Sequence, residues 1–147
     1  MTGQTTHRSS RNVLIAFDFG TRFIGVAIGN RVTGTASPLP HLRARDGVPD
    51  WSLVSVLLED WQPERAVVGL PLNMDGSEST MTQRARKFAN RLHGRFGIQV
   101  HCHDERLSSF EARQRLSKDT DRRRGGAIDS MAAVVILEHW LVEQDVD

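Results

Sequence analysis

Short apolar runs occur at intervals along this sequence, and they set the possible folds. The first two runs, residues 13–18 and 24–28, are separated by a short segment that begins at Gly20. Apolar runs this short, joined by a tight turn, predict two strands of a hairpin. A third, weaker strand is expected over residues 33–37, before Pro38 and Pro40 interrupt it.

The rest of the chain alternates helical and strand patterns. Apolar spacing predicts a helix from Trp51 that Pro63 stops, a buried strand over residues 65–70, and a helix that starts near Asp75 and Glu78. The apolar stripe of that second helix is expected at Met81, Ala85, Phe88 and Leu92. An alternating strand at 98–103, a helix from Ser108 to about residue 118 and an apolar helix over 127–142 follow. This order predicts an α/β fold whose five-stranded mixed sheet has antiparallel first three strands and flanking helices.

Length and cysteine content limit the organisation of the chain. Its 147 residues, 39% of them hydrophobic, suffice for one domain, which we expect at residues 12–142, between flexible tails at 1–11 and 143–147. The single cysteine, Cys102, excludes an internal disulfide and favours the reducing cytoplasm. No apolar run approaches the roughly 20 residues of a membrane span, and the polar N-terminus lacks a signal-peptide pattern, so no membrane partner is expected.

Positive charge is concentrated in two regions, although the net charge is only +1. Such regions can attract phosphates without making the whole protein basic. For either region taken alone, a solvated helix face is the favoured interpretation. The first region contains Arg84, Arg86, Lys87, Arg91 and Arg95, and the second contains Arg113, Arg115, Lys118, Arg122, Arg123 and Arg124.

Three acids occupy positions where a carboxylate needs an explanation. Asp18 ends an apolar strand, Asp129 lies in the apolar last helix, and Glu105 follows a strand at the sheet end where α/β proteins build sites. Converging carboxylates are stabilised by Mg²⁺ or Mn²⁺, which suit phosphoryl chemistry. The alternative is that Asp18 caps a turn, Glu105 is solvated and Asp129 pairs with an arginine.

Other chemical motifs are weaker. His101, Cys102 and His103 have no second ligand pair, and strand alternation separates the cysteine from both histidines, so we expect core packing and a solvated face. Ser108 is explained as a helix cap rather than a nucleophile. The glycine-rich turn after Asp18 is similar to the first phosphate loop of actin-like ATPases, but those enzymes clamp the nucleotide between two such domains.

Four blocks of sequence together resemble the bacterial YqgF family, also called RuvX. Any one block is a weak signal, but four in order over residues 12–141 are specific. The blocks are Asp18-Phe19-Gly20-Thr21-Arg22 with Gly25-Val26-Ala27, Gly69-Leu70-Pro71-Leu72 with Asp75-Gly76-Ser77, Asp104-Glu105-Arg106-Leu107-Ser108, and Asp129-Ser130 with Ala132-Ala133 and Ile136-Leu137-Glu138.

The resemblance implies a ribonuclease H-like fold related to the RuvC resolvases, with Asp18, Glu105 and Asp129 as the catalytic metal ligands. It implies processing of the 5′ end of pre-16S rRNA, beside an older assignment as a Holliday-junction resolvase. Ala16 departs from the glycine that many members carry, which leaves the acids untouched. Arg122 to Arg124 correspond to a lysine-rich loop of the family, and similar phosphate contacts are expected.

The first hypothesis is therefore a metal-dependent endonuclease acting on pre-16S rRNA, with Mg²⁺ or Mn²⁺ as cofactor and ribosomal particles as partners. A resolvase of branched DNA is the first alternative and would act as a dimer, whereas the sequence allows a monomer or a weak homodimer. A ribosome- or transcription-associated binding module and a nucleotide hydrolase are the others. The residues expected to position nucleic acid are Arg22, Arg106, Arg84, Lys87, Arg91, Arg122, Arg123 and Arg124.

Overall fold

The computed structural model describes residues 10–105, 111–112, 114–115 and 126–145, with the backbone alone at residues 10–11, 126–129 and 145. The strands are β1 (Ser10–Asp18), β2 (Phe23–Asn30), β3 (Thr35–Arg45), β4 (Val48–Pro49), β5 (Pro63–Leu70) and β6 (Gln99–Asp104). The helices are α1 (Trp51–Trp61), α2 (Thr80–Phe96) and α3 (Gly126–Asp145), and residues 111–112 and 114–115 are also helical.

The strands form one mixed sheet in the order β4-β3-β2-β1-β5-β6. Strand β2 is antiparallel to both of its neighbours, β1 and β3, whereas β5 runs parallel to both β1 and β6. The predicted α/β architecture is confirmed. The sheet has six strands rather than five, because the chain turns back after β3 and adds the two-residue β4 at its end.

Strand β3 is longer than the predicted 33–37, and the expectation that its prolines end it is wrong. Pro38 pairs with Ala27, and the register shifts across the segment that contains Pro40. Among the described residues, only β4 lies beyond β3. It pairs with the last two residues of β3, so the described strands leave most of this outer edge unpaired. Proline is tolerated there because an edge strand with a bulge does not need every N–H group.

Helix α2 begins later than predicted. Asp75 and Glu78 precede it, and the N-cap is Ser79, whose hydroxyl accepts from the Thr82 N–H in a capping box. The Asp75 carboxylate instead accepts from the Ser77 N–H at 2.9 Å. The apolar stripe is as predicted, with Ala85, Phe88 and Leu92 buried against the sheet and Met81 partly buried.

The sheet has an apolar core on each face. Alternate residues of β1 divide between them: Ile15 and Phe17 pack with α1 and α2, whereas Leu14 and Ala16 pack against α3. Helix α3 is buried from Ala132 to Leu137, as its continuous apolar sequence predicts. Within the described part of the chain, every helix is too short or too polar to cross a membrane.

Candidate functional site

Asp18 and Glu105 lie at the same edge of the sheet. Strands β1, β5 and β6 are parallel, and this is the edge at which all three end. Asp18 is the last residue of β1. Glu105 directly follows β6, and its N–H donates to the backbone oxygen of Leu70 at 3.1 Å. One strand separates them, so their backbones lie about 10 Å apart across the sheet. Two carboxylate side chains can span this separation with a metal ion between them.

The two acids also belong to the same face of the sheet. Leu14 and Ala16 pack against α3, and alternation assigns Asp18 to that face. On β6, the His101 ring lies 5.6 Å from the Trp140 ring of α3. Glu105 is four residues after His101, so strand alternation puts its side chain on the same face, and its carboxylate contacts α3 directly. The carboxyl edge and the α3 face therefore bring Asp18 and Glu105 together.

Ser130 ties the first turn of α3 to this region. Its hydroxyl accepts from the Val26 N–H at 3.2 Å and donates to the Leu39 oxygen at 2.8 Å. In the adjoining pair of strands, Val26 is opposite Phe17, and the next pair is Asp18 with Gly25. The backbone of Asp129, one residue before Ser130, is thus anchored beside the end of β1. The Asp129 side chain lies outside the described residues.

Glu105 is held by two histidines rather than solvated. Its side chain is 5% exposed. His139 Nδ1 of α3 lies 3.1 and 3.0 Å from the two carboxylate oxygens, and His103 Nε2 lies 3.1 Å from one of them. A carboxylate buried this far needs such partners, because burial without them removes its hydration at a large cost in free energy.

Further acids surround the two histidines. His103 Nε2 also lies 3.0 Å from a Glu143 oxygen, and His139 Nε2 lies 3.4 Å from a Glu111 oxygen. Arg115 bridges Glu111 at 3.2 Å and Glu138 at 2.7 Å. Helical residues 111 and 115 are thereby joined to α3 through charged side chains. The network leaves Glu105 at the meeting point of β6, α3 and the segment that precedes α3.

Strand β6 places two histidines in different electrostatic surroundings. The hydrogen bond to Glu105 raises the pKa of His103 above its ordinary value, and the charges of nearby acids add to this, although burial opposes it. Burial lowers the pKa of His101, and the neighbouring Arg65 guanidinium lowers it further. Cys102 is exposed on the other side of the strand, and partial burial of its sulfhydryl raises its pKa.

The predicted basic residues of α2 divide into paired and unpaired side chains. Arg84 donates to the oxygen and the carboxylate of Asp46 at 3.0 and 2.8 Å, so it holds the β3–β4 turn. Arg86 pairs with Glu78 at 2.6 Å. Lys87 and Arg91 are exposed and make no ion pair with another described residue. Arg22 is exposed in the turn after Asp18. Arg106, Arg122, Arg123 and Arg124 lie outside the described residues, as does Ser108, the predicted cap.

Sequence reasoning missed the role of the histidines. The expectation that His101 and His103 share a solvated face is wrong, because both are half-buried beneath α3. His139 was not singled out at all. His139 and Glu143 are four residues apart, which places them on one face of a helix, but no sequence pattern predicts that this face contacts β6. Ser130 was identified only as part of a family block, and its two contacts need the folded sheet.

The donor chemistry of the edge fits a hard divalent cation. Carboxylate oxygens are the ligands that Mg²⁺ and Mn²⁺ prefer, and a metal-ligating carboxylate is usually hydrogen-bonded from behind, as Glu105 is by His139 and His103. Across the residues that the structure describes, no three His, Cys, Asp or Glu side chains are arranged to hold a metal by themselves. The side chain of the third predicted ligand, Asp129, lies outside that described part.

The solved structures that this chain resembles share its fold. Thermus thermophilus RuvC in complex with a Holliday junction substrate superposes with a TM-score of 0.53 at 14% identity, covering 92% of this chain and 96% of that one. Fowlpox virus resolvase with its substrate Holliday junction DNA gives a TM-score of 0.56 at 13% identity, covering 92% and 99%. The predicted ribonuclease H-like fold is confirmed.

Sequence comparison identifies nearer relatives. A protein of Escherichia coli O157:H7 (strain EC4115 / EHEC) named "Putative pre-16S rRNA nuclease" is 60% identical over 129 residues, which are 86% of this chain and 94% of that protein. A protein of the same name from Shigella boydii serotype 18 is 59% identical over the same length. The profile of the family described as "RuvX: Holliday junction resolvase" matches residues 12–143. This protein belongs to the RuvX family.

Proposed function

We propose that this protein is a metal-dependent endonuclease that hydrolyses phosphodiester bonds at the 5′ end of pre-16S rRNA. Its relatives at 60% identity carry the name of a pre-16S rRNA nuclease, and its fold is that of the RuvC-like nucleases. The observation that carries the proposal is the meeting of Asp18 and Glu105 at one edge and one face of the sheet, with the start of α3 anchored beside Asp18.

In this proposal Asp18, Glu105 and Asp129 hold Mg²⁺ or Mn²⁺. When bound there, the metal would supply an activated water and charge neutralisation at the leaving oxygen. His139 and His103 keep the Glu105 carboxylate in place by donating hydrogen bonds to it. Arg22, at the turn after Asp18, is suited to hold a phosphate beside the reacting one.

The remaining basic residues extend the phosphate contacts along the nucleic-acid strand. Lys87 and Arg91 are exposed, whereas the Arg84 side chain is bound to Asp46 and contributes by holding the turn that contains it. We assign the outer phosphates of the substrate to Arg106, Arg122, Arg123 and Arg124, on the basis of the family resemblance. We place the reaction in the cytoplasm on ribosomal particles, with the protein as a monomer or weak homodimer and the chain at residues 12–142 as the catalytic domain.

Resolution of a Holliday junction is the second candidate, because the family description and both structural neighbours concern junctions. A two-fold junction requires two active sites related by symmetry, so this function requires a dimer. Cleavage of a single RNA strand needs only one active site and therefore no dimer.

The test is cleavage of labelled pre-16S rRNA and of a four-way DNA junction, with Mg²⁺, with Mn²⁺ and with chelator. We expect metal-dependent cutting of the RNA that Asp18→Asn abolishes, since the substitution removes a ligand charge at nearly constant volume. Asp60→Asn is the matched control, because Asp60 is exposed on α1. Cutting of the junction alone would establish the resolvase, and tight binding without cutting of either substrate would establish a binding module.

A further inference from the structure

A cleft opens beside the candidate site, on the opposite face of the sheet. Its volume is about 240 Å³, and it lies between α2 and the β3–β4 turn. Its nearest wall is Phe19, the residue that directly follows Asp18. Successive Cα atoms are about 3.8 Å apart, so the cleft adjoins the carboxyl edge where Asp18 lies.

Packed aromatic rings form the floor of the cleft, and most of their surface is buried, with Phe19 8% and Phe88 3% exposed. The Phe19 and Phe88 rings have centroids 5.7 Å apart, and Trp51 stacks on Phe88 at 5.8 Å with an angle of 16°. The Gly47 side of the turn fits closely on Phe19, since a Cβ at Gly47 would come within 2.8 Å of its ring. The Gly47 N–H also donates to the Thr21 oxygen at 2.9 Å. The floor and the turn are therefore tied to the loop after Asp18.

Two uncompensated cations border this floor. Lys87 and Arg91 are one helical turn apart on α2, both line the cleft and both are exposed. Neither makes an ion pair with another described residue, whereas the charge of Arg84 is matched by Asp46. A cleft that is bordered by part of Trp51 and Val48, with two exposed cations at its rim that have no ion-pair partner in the described part of the chain, suits a nucleotide, which has a flat base and an anionic phosphate.

We propose that this cleft holds one unstacked nucleotide of the substrate strand, with its base against Val48 and the exposed part of Trp51 and its phosphate at Lys87 and Arg91. The inference rests on the proposed nuclease function and specifies its substrate as single-stranded. A cleft of about 240 Å³ has room for one base, and a base that is paired and stacked in a duplex would have to leave the duplex to enter it. The RNA strand then passes over the carboxyl edge of the sheet, from the cleft to Asp18.

Binding without metal tests the cleft separately from cleavage. We would measure fluorescence anisotropy of a labelled single-stranded RNA, and of the same RNA in a duplex, with chelator present and salt varied. Each charge removed lowers the slope of log K against log salt by about 0.7 for single strands, which is about a fivefold loss of affinity at 0.1 M salt. We expect this loss for Lys87→Gln and for Arg91→Gln. Arg86→Gln is the matched control on the same helix, outside the cleft, and leaves binding nearly unchanged.

A blocking variant separates insertion into the cleft from surface attraction. Val48 lines the cleft and is 42% exposed, so Val48→Trp fills the space without changing charge. We expect it to weaken single-stranded binding and leave both the salt slope and duplex binding unchanged. Circular dichroism and the melting temperature check that each variant is folded, and Lys87→Gln and Arg91→Gln change only exposed residues.

The outcomes distinguish the two proposals. Intact cleavage together with single-stranded binding that ignores Lys87, Arg91 and Val48 would overturn the cleft and leave the nuclease. Equal weakening of single-stranded and duplex binding by Val48→Trp would also overturn it. Binding that depends on the cleft, in a protein that cuts no RNA, would support the cleft and overturn the nuclease.

Discussion

Ser130→Ala should loosen the attachment of α3 to the sheet. Ser130 is 4% exposed, and its hydroxyl serves the Val26 N–H and the Leu39 oxygen at once. Alanine fits the space but leaves both backbone groups without that partner. An unsatisfied buried group costs about 1–3 kcal/mol, and the half-buried Leu39 can regain some hydration, so we expect a loss of about 2–3 kcal/mol.

Urea unfolding followed by circular dichroism measures this loss, with the slope of the free energy against urea checked for constancy. The melting temperature should fall by about 5–10 °C for a chain of this size. Ser37→Ala is the matched control, since Ser37 is exposed on β3 and a surface change of this kind stays within about 0.5 kcal/mol.

The same variant tests the site. Because Asp129 directly precedes Ser130, a looser first turn of α3 should misplace it and lower kcat at least tenfold with little change in KM. Binding of RNA in chelator should stay at the wild-type level. The reasoning fails if Ser130→Ala and Ser37→Ala lose the same small free energy, or if Ser130→Ala is destabilised as expected yet keeps full kcat.

Three further outcomes follow from the packing and the charges. Gly69→Ala should cost about 1–3 kcal/mol, because its Cβ would clash with Ile136 Cδ1, and Ile136→Val, which removes that methyl group, should relieve part of this cost in a double-mutant cycle; additive losses would contradict the contact. By NMR titration His103 should release its proton at a higher pH than His101, so that His103 contributes stability below a pH of about 6.5 that is lost as the pH rises, whereas His101 lowers stability as the pH falls below that value; the reverse order would contradict the Glu105 contact. Cys102 should react slowly with iodoacetamide at pH 7 and about tenfold faster per pH unit up to its raised pKa, and a rate that levels off below pH 8 would contradict it.

The acids were identifiable from the sequence, but their surroundings were not. A carboxylate at the end of the apolar run 13–18 is conspicuous because burial demands a partner for it, and the family blocks name the same residue. The two histidines at Glu105 gave no such signal. His103 and His139 are 36 residues apart in the chain, and only the docking of α3 against β6 brings both to one carboxylate.

Charge in the sequence identified a basic helix without showing which of its side chains are available. Five basic residues between positions 84 and 95 look equivalent in the sequence. In the structure Arg84 and Arg86 are paired, and Arg95 lies over the Trp51 ring at 4.6 Å. The residues that remain at the cleft are Lys87 and Arg91. The partners are remote in sequence or lie in turns, so the pairing depends on how the chain packs.

The sequence by itself determined the α/β class, the antiparallel start of the sheet and the buried face of α2, and it proposed the three acids as the site. Hydrophobic period and local turn chemistry act over a few residues, so they are present in the sequence itself. The tertiary structure alone decided that β3 continues past its prolines, that the sheet gains β4, and that histidines hold Glu105. These features depend on which edges stay unpaired and which distant side chains meet, and both follow from packing between elements rather than from any local pattern.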